Sequence, residues 1–141
     1  MNIPEEHDWK IDSQDLDEKY SFEKYLGKSK EQAIALFRSS PLECSFEIAY
    51  MPEIPFRYYV LAFKEFVEKS NKEEYDDVYH AYISMILSMI KNNFGYIEPL
   101  KKELLPLAYK ITIDQEKYGL DLDIFGDLKV KLDEALIAAS T

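Results

Sequence analysis

Across residues 21–141 the apolar side chains recur every three or four positions, and no sustained stretch alternates apolar with polar residues. A three-to-four spacing gathers apolar groups on one stripe of a helix, whereas a half-buried strand needs a period of two. Val and Thr together number only six and glycine only four, so the residues that favour strands and tight hairpins are scarce. The pattern predicts an all-α chain, either a compact irregular helical bundle or a short HEAT-like stack of helix pairs.

Punctuation divides this stretch into helices. Ser29 followed by Gln32 forms a capping box, and the helix it opens carries Ala33, Ile34, Leu36 and Phe37. Ser40-Pro41-Leu42-Glu43 reads as a second capping box, with proline where no amide is needed and a stripe of Leu42, Phe46, Ala49 and Tyr50 behind it. Pro55 opens a helix to about Lys69 whose Phe56, Tyr59, Val60, Phe63, Phe66 and Val67 share a face. Asn71 is expected to cap a longer helix with the stripe Tyr75, Val78, Tyr79, Tyr82, Ile83, Ile86, Leu87 and Ile90, ending at Gly95. Pro99 starts another helix to about Ile111, which Pro106 should kink or split. The last helix runs from about Leu122 or Ile124 to Ala139. Pro55-Phe56-Arg57 through Phe63 echoes Pro99-Leu100-Lys101 through Leu107 at an offset of 44 residues, within the roughly 40–47 of HEAT- and armadillo-type pairs.

At 141 residues the chain has the length of one domain, and 47% hydrophobic residues supply a core. Residues 1–20 read as an acidic, largely irregular N-terminal arm, with Trp9 as a possible anchor, and residues 21–141 as a single helical domain. The net charge of −10 is uneven: residues 1–26 carry −5 and residues 111–141 carry −4, while the middle is nearly neutral. Such acidity argues against a binder of nucleic-acid phosphates. No apolar run reaches the ~18 residues of a membrane-spanning helix, and MNIPEEHDWK lacks the features of a signal peptide. A single cysteine excludes an internal disulfide and fits a reducing cytoplasm.

Recognisable catalytic hardware is missing from the sequence, and no cofactor or metal is expected. Asp121-Leu-Asp123-Ile-Phe125-Gly126 begins like an EF-hand loop but places Phe125 and Leu132 where oxygen ligands are required, so the acids are expected to cap the last helix instead. His7 and His80 lie in separate segments, and Cys44 has Glu43 and Glu47 for neighbours rather than a histidine. No glycine-rich phosphate loop and no G-x-S-x-G elbow occurs. Asp76 with His80, and Glu73 with Asp77, would share a helix face at four-residue spacing, an arrangement that is usually a solvated face. The eleven tyrosines concentrate in the middle helices, mostly as core or boundary residues; Arg57 and Tyr58 are the candidates for partner recognition, since both types are enriched at interfaces.

Tyr25-Leu26-Gly27-Lys28-Ser29 with Ala33 and Leu36-Phe37, then Tyr50-Met51-Pro52 and Pro55-Phe56-Arg57-Tyr58-Tyr59, resembles a pattern in small uncharacterised bacterial all-helical proteins. The resemblance covers the first half of the chain and implies an α-fold and a bacterial source, with no catalytic residues to carry over. Three readings of function follow. The first is a cytoplasmic protein-binding module, in its most specific form an immunity protein neutralising a basic toxin, because opposite charge speeds encounter. Its contact residues would be Arg57, Tyr58, Glu73, Glu74, Asp76 and Asp77. Asp12, Asp15, Asp17 and Glu18, and the acids between Asp121 and Asp127, would provide further attractive charge. The second is an enzyme with a carboxylate-based site not recognisable from sequence, and the third a structural, self-associating helical protein.

Overall fold

The structure, a computed structural model, describes residues 1–10, 15–71, 73–74 and 77–141. Among them all regular structure is helical: α1 (Leu16–Tyr25), α2 (Lys30–Ser39), α3 (Pro41–Ala49), α4 (Glu53–Lys69), α5 (Val78–Asn92), α6 (Phe94–Ile97), α7 (Lys101–Ile113), α8 (Leu122–Phe125) and α9 (Leu128–Ala139). Short 3-10 turns occupy Glu6–Trp9, Glu98–Leu100 and Gln115–Tyr118. The long helices pair in order, α2 with α3, α4 with α5 and α7 with α9, and each pair rests on the next. One layer is α2, α4 and α7; the other is α1, α3, α5 and α9. This is the packing order of stacked helix pairs, and the 44-residue echo falls on α4 and α7, neighbours in the same layer.

The core is an unbroken chain of rings. Trp9 packs on Tyr59, Tyr59 on Tyr25, Tyr25 on Phe37, Phe37 edge-on against Phe63, and Phe63 stacks on Tyr82, with centroids 5.1–6.5 Å apart. All six are fully buried, and such pairs add about 1 kcal/mol each beyond the area they bury. A buried tyrosine needs a partner for its hydroxyl. The Tyr59 hydroxyl shares its one proton between the carbonyls of Tyr25 and Lys28, both at 2.8 Å, and Tyr82 donates to Leu104 at 2.6 Å. The tyrosines thus tie α4 to the α1–α2 turn and α5 to α7.

Several boundaries depart from the sequence expectation for identifiable reasons. α1 begins at Leu16, inside the stretch expected to be irregular, because the Asp15 carboxylate accepts the amides of Asp17 and Glu18 and caps it. Asn71 does not cap the long helix. Its side chain accepts the Glu73 and Glu74 amides and closes a local turn, an alternative that asparagine offers the backbone, so α5 starts only at Val78. The box at Ser29 forms, but Ser40 makes no side-chain cap bond; it ends α2 and begins α3 at once, with Pro41 alone marking the start. Pro106 does not split α7; the carbonyl it leaves without an amide belongs to Lys102, an exposed residue. Gly126, at φ 71° and ψ −170°, divides the expected last helix into α8 and α9, a conformation open almost only to glycine.

Candidate functional site

α1 meets α3 through a polar face. Ser21, Lys24 and Tyr25 stand on one side of α1 at three- and four-residue spacing and all converge on Glu47. Ser21 Oγ donates to the Glu47 carbonyl at 2.9 Å. The Glu47 carboxylate accepts Lys24 Nζ at 2.8 and 3.0 Å and the Tyr25 hydroxyl at 2.9 Å. Glu47 is buried, so a carboxylate that would be costly to strand is fully partnered. Burial works against the Lys24 ammonium, yet the hydrogen bond and negative charge of Glu47 outweigh it and raise its pKa. The same carboxylate adds to burial in pushing Tyr25 well above the usual phenol range.

Above this cluster lies a groove of about 250 Å³ with Ser21 and Glu47 at its base. Tyr20 forms one wall from α1; Phe46 on α3 and Tyr50, which caps the C-terminal end of α3, form the other. These three rings are 53%, 55% and 51% exposed. Among the described residues none of them packs on another ring, and neither hydroxyl has a hydrogen-bond partner. Among the described residues Asp17 and Glu43, at the rim, make no ion pair. The segments 15–25 and 41–50 together hold six acids and two lysines. The expectation that Phe46 and Tyr50 belong to the apolar stripe of their helix is therefore corrected: α3 turns Cys44, Ser45 and Ile48 inward and Glu43 and Phe46 outward, and Tyr50 at its cap is exposed as well.

The residues singled out from sequence sit elsewhere. Tyr58 packs edge-on against Tyr59 at 4.9 Å and its hydroxyl accepts the Lys30 amide at 3.1 Å, so much of its recognition surface is spent within the fold. It borders a second groove, about 560 Å³, with Lys30, Lys64 and Glu65. Arg57 is paired with Glu53. Glu73 and Glu74 lie exposed in a turn before α5, and Asp77, directly before α5, makes no side-chain cap bond. Asp76, Tyr75, Ile11 and Asp12 lie outside the described residues. Arg57 and Tyr58 lie in the first half of α4 and Glu73 and Glu74 beyond its C-terminal end, with Arg57 and Lys69 about 18 Å apart along the helix at 1.5 Å per residue. Glu73 and Asp77 do not share a helix face, since both precede α5.

Elsewhere the acids serve the backbone. Asp121 accepts the Asp123 amide at the start of α8, and Asp127 rather than either of those caps α9. His80 packs its ring on Phe125, 4.9 Å away. Among the described residues, no three of His, Cys, Asp and Glu are grouped so that they could hold a metal ion, and no helix is long and apolar enough to cross a membrane. Cys44 is buried, which pushes its thiol up to about 11, with Glu47 adding to the rise and Lys24 opposing it. A thiol at that value is a poor nucleophile at neutral pH. No family model, curated protein or solved structure matches the chain.

Proposed function

We propose that the chain is an acidic protein-binding module whose docking surface is the α1–α3 groove and whose partner is basic. One observation carries the reading: three half-exposed rings line one depression beside two acids that make no ion pair among the described residues. While Tyr20 has the Lys24 ammonium against its ring, Phe46 and Tyr50 have no ring, cation or hydrogen-bond partner among those residues. Half-buried aromatics among polar groups are what protein interfaces select, since a large ring gives contact area at little entropic cost. Net negative charge around them favours fast capture of a positively charged surface. Neutralisation of a basic toxin is the most specific form of this activity, and it needs no chemistry from the module itself.

A photo-crosslinking residue placed at position 50, with position 73 as the control, tests the proposal in extracts of the native host. The expected result is one dominant basic protein captured from position 50 and not from 73. With that protein purified, stopped-flow association should slow as salt rises and slow again in Asp17→Asn and Glu43→Gln. An acidic partner, or association indifferent to salt and to both substitutions, would overturn it.

A further inference from the structure

We propose that the α1–α3 groove is a cage for a single arginine side chain presented by the partner. The inference rests on the docking reading above and narrows its chemistry. The chain's own Lys24, whose partners Glu47 and Tyr20 both line the groove, shows the pairing these groups offer a cation: its ammonium is held by Glu47 at 2.8 Å and lies 5.8 Å from the centroid of the Tyr20 ring. A cation between a carboxylate and an aromatic face gains from both. Because Lys24 and Glu47 neutralise each other, the charge left for a visitor is that of Asp17 and Glu43.

The dimensions suit one side chain. At about 250 Å³ the groove is smaller than the ~300 Å³ at which pockets for drug-sized molecules begin. Tyr20 lines it from α1 while Phe46 and Tyr50 line it from α3 and its C-terminal cap, and no contact between these rings closes the space. Arginine fits better than lysine for a geometric reason. A guanidinium is flat and weakly hydrated, so it lies against a ring while its edge N–H groups reach a carboxylate in pairs. An ammonium is a compact, strongly hydrated point charge that does neither well.

Octaarginine and octalysine carry the same charge and are the probes, titrated calorimetrically into the full chain at low ionic strength. Octaarginine should bind about tenfold more tightly than octalysine. Phe46→Leu and Tyr50→Leu keep an apolar side chain at exposed positions but remove the ring, and each should abolish most of that preference, with far-UV circular dichroism confirming the helices. Glu98→Gln, at an exposed acid outside the groove, should leave that preference unchanged. Equal affinity for the two peptides, or a preference that survives both leucine substitutions, would overturn the cage. Asp17→Asn with Glu43→Gln then separates the two ideas: weaker binding of both peptides leaves acidic docking at the groove standing without the cage, and unchanged binding removes both.

Discussion

Two faces of this molecule carry lysine–glutamate pairs and use them in opposite ways. On the α2–α4 face Glu65 is shared by Lys30 at 3.1 Å and Lys69 at 2.8 Å, and Lys64 pairs with Glu68 at 3.1 Å. These are partly exposed pairs, of the kind that contribute little to stability. On the α1–α3 face one pair, Lys24–Glu47, is drawn beneath the surface and holds two helices together, while the acids at the rim are left unmatched. The same two residue types make partly exposed pairs in one place and a structural clamp under an unneutralised groove in the other. Burial, not composition, separates the two roles.

That contrast can be broken by substitution. Glu47→Ala should cost about 3 kcal/mol in urea denaturation, because it strands the Lys24 charge and a fully buried Tyr25 hydroxyl; partial exposure of Lys24 keeps the figure at the low end for such pairs. The deficit should shrink at strongly alkaline pH. A lysine whose folded pKa is raised contributes stability that is complete below the ordinary value of 10.5 and is lost as pH rises through the folded value. A loss of under about 1 kcal/mol would mean that the two faces are energetically alike.

Cys44 reports on the same clamp without altering it. With its thiol near 11 and its side chain buried, alkylation by iodoacetamide at pH 8 should run roughly a hundredfold slower than for a free thiol. Glu47→Ala should accelerate it by loosening α3 from α1. Labelling as fast as that of a small thiol would show that the α1–α3 face opens freely. Tyr59→Phe, which frees the Tyr25 and Lys28 carbonyls at the end of α1, should cost about 1.5 kcal/mol by thermal or chemical denaturation. Smallest of all, Lys30→Ala should leave the melting temperature where it was, since its partner Glu65 keeps Lys69. A clear drop would give the exposed face a structural weight that the comparison denies it.

The regions legible in the sequence are those whose inward face is apolar. Every residue of the stripe Phe56, Tyr59, Val60, Phe63, Phe66 and Val67 is buried, and Trp9 docks on Phe22 and Tyr59 as an anchor would. α1 escaped because the face it buries is Ser21, Lys24 and Tyr25, polar residues that satisfy one another and leave no apolar period to detect. α3 misled in the opposite sense. Phe46 and Tyr50 fit a helical stripe by spacing, and only the position of α1 and α5 around α3 decides that Cys44 and Ile48 face inward instead. Gln115 was silent in the sequence, yet it donates to the Leu120 and Gly126 carbonyls and accepts the Leu128 amide, fixing the connection from α7 to α9.

By itself the sequence determined the helical class, the order of the main helices, the capping box at Ser29 and the aromatic stripe of α4, because these follow from spacing and from side chains acting on their own backbone. Tertiary structure decided which apolar residues stay exposed, which of the many carboxylates is buried and partnered, and which are left free beside Tyr20, Phe46 and Tyr50. Those outcomes depend on which surface meets which across more than twenty residues of chain, as Lys24 meets Glu47. A periodicity records only that a side can be buried; the energy of desolvating a charge or a ring is fixed by the neighbours that arrive to cover it.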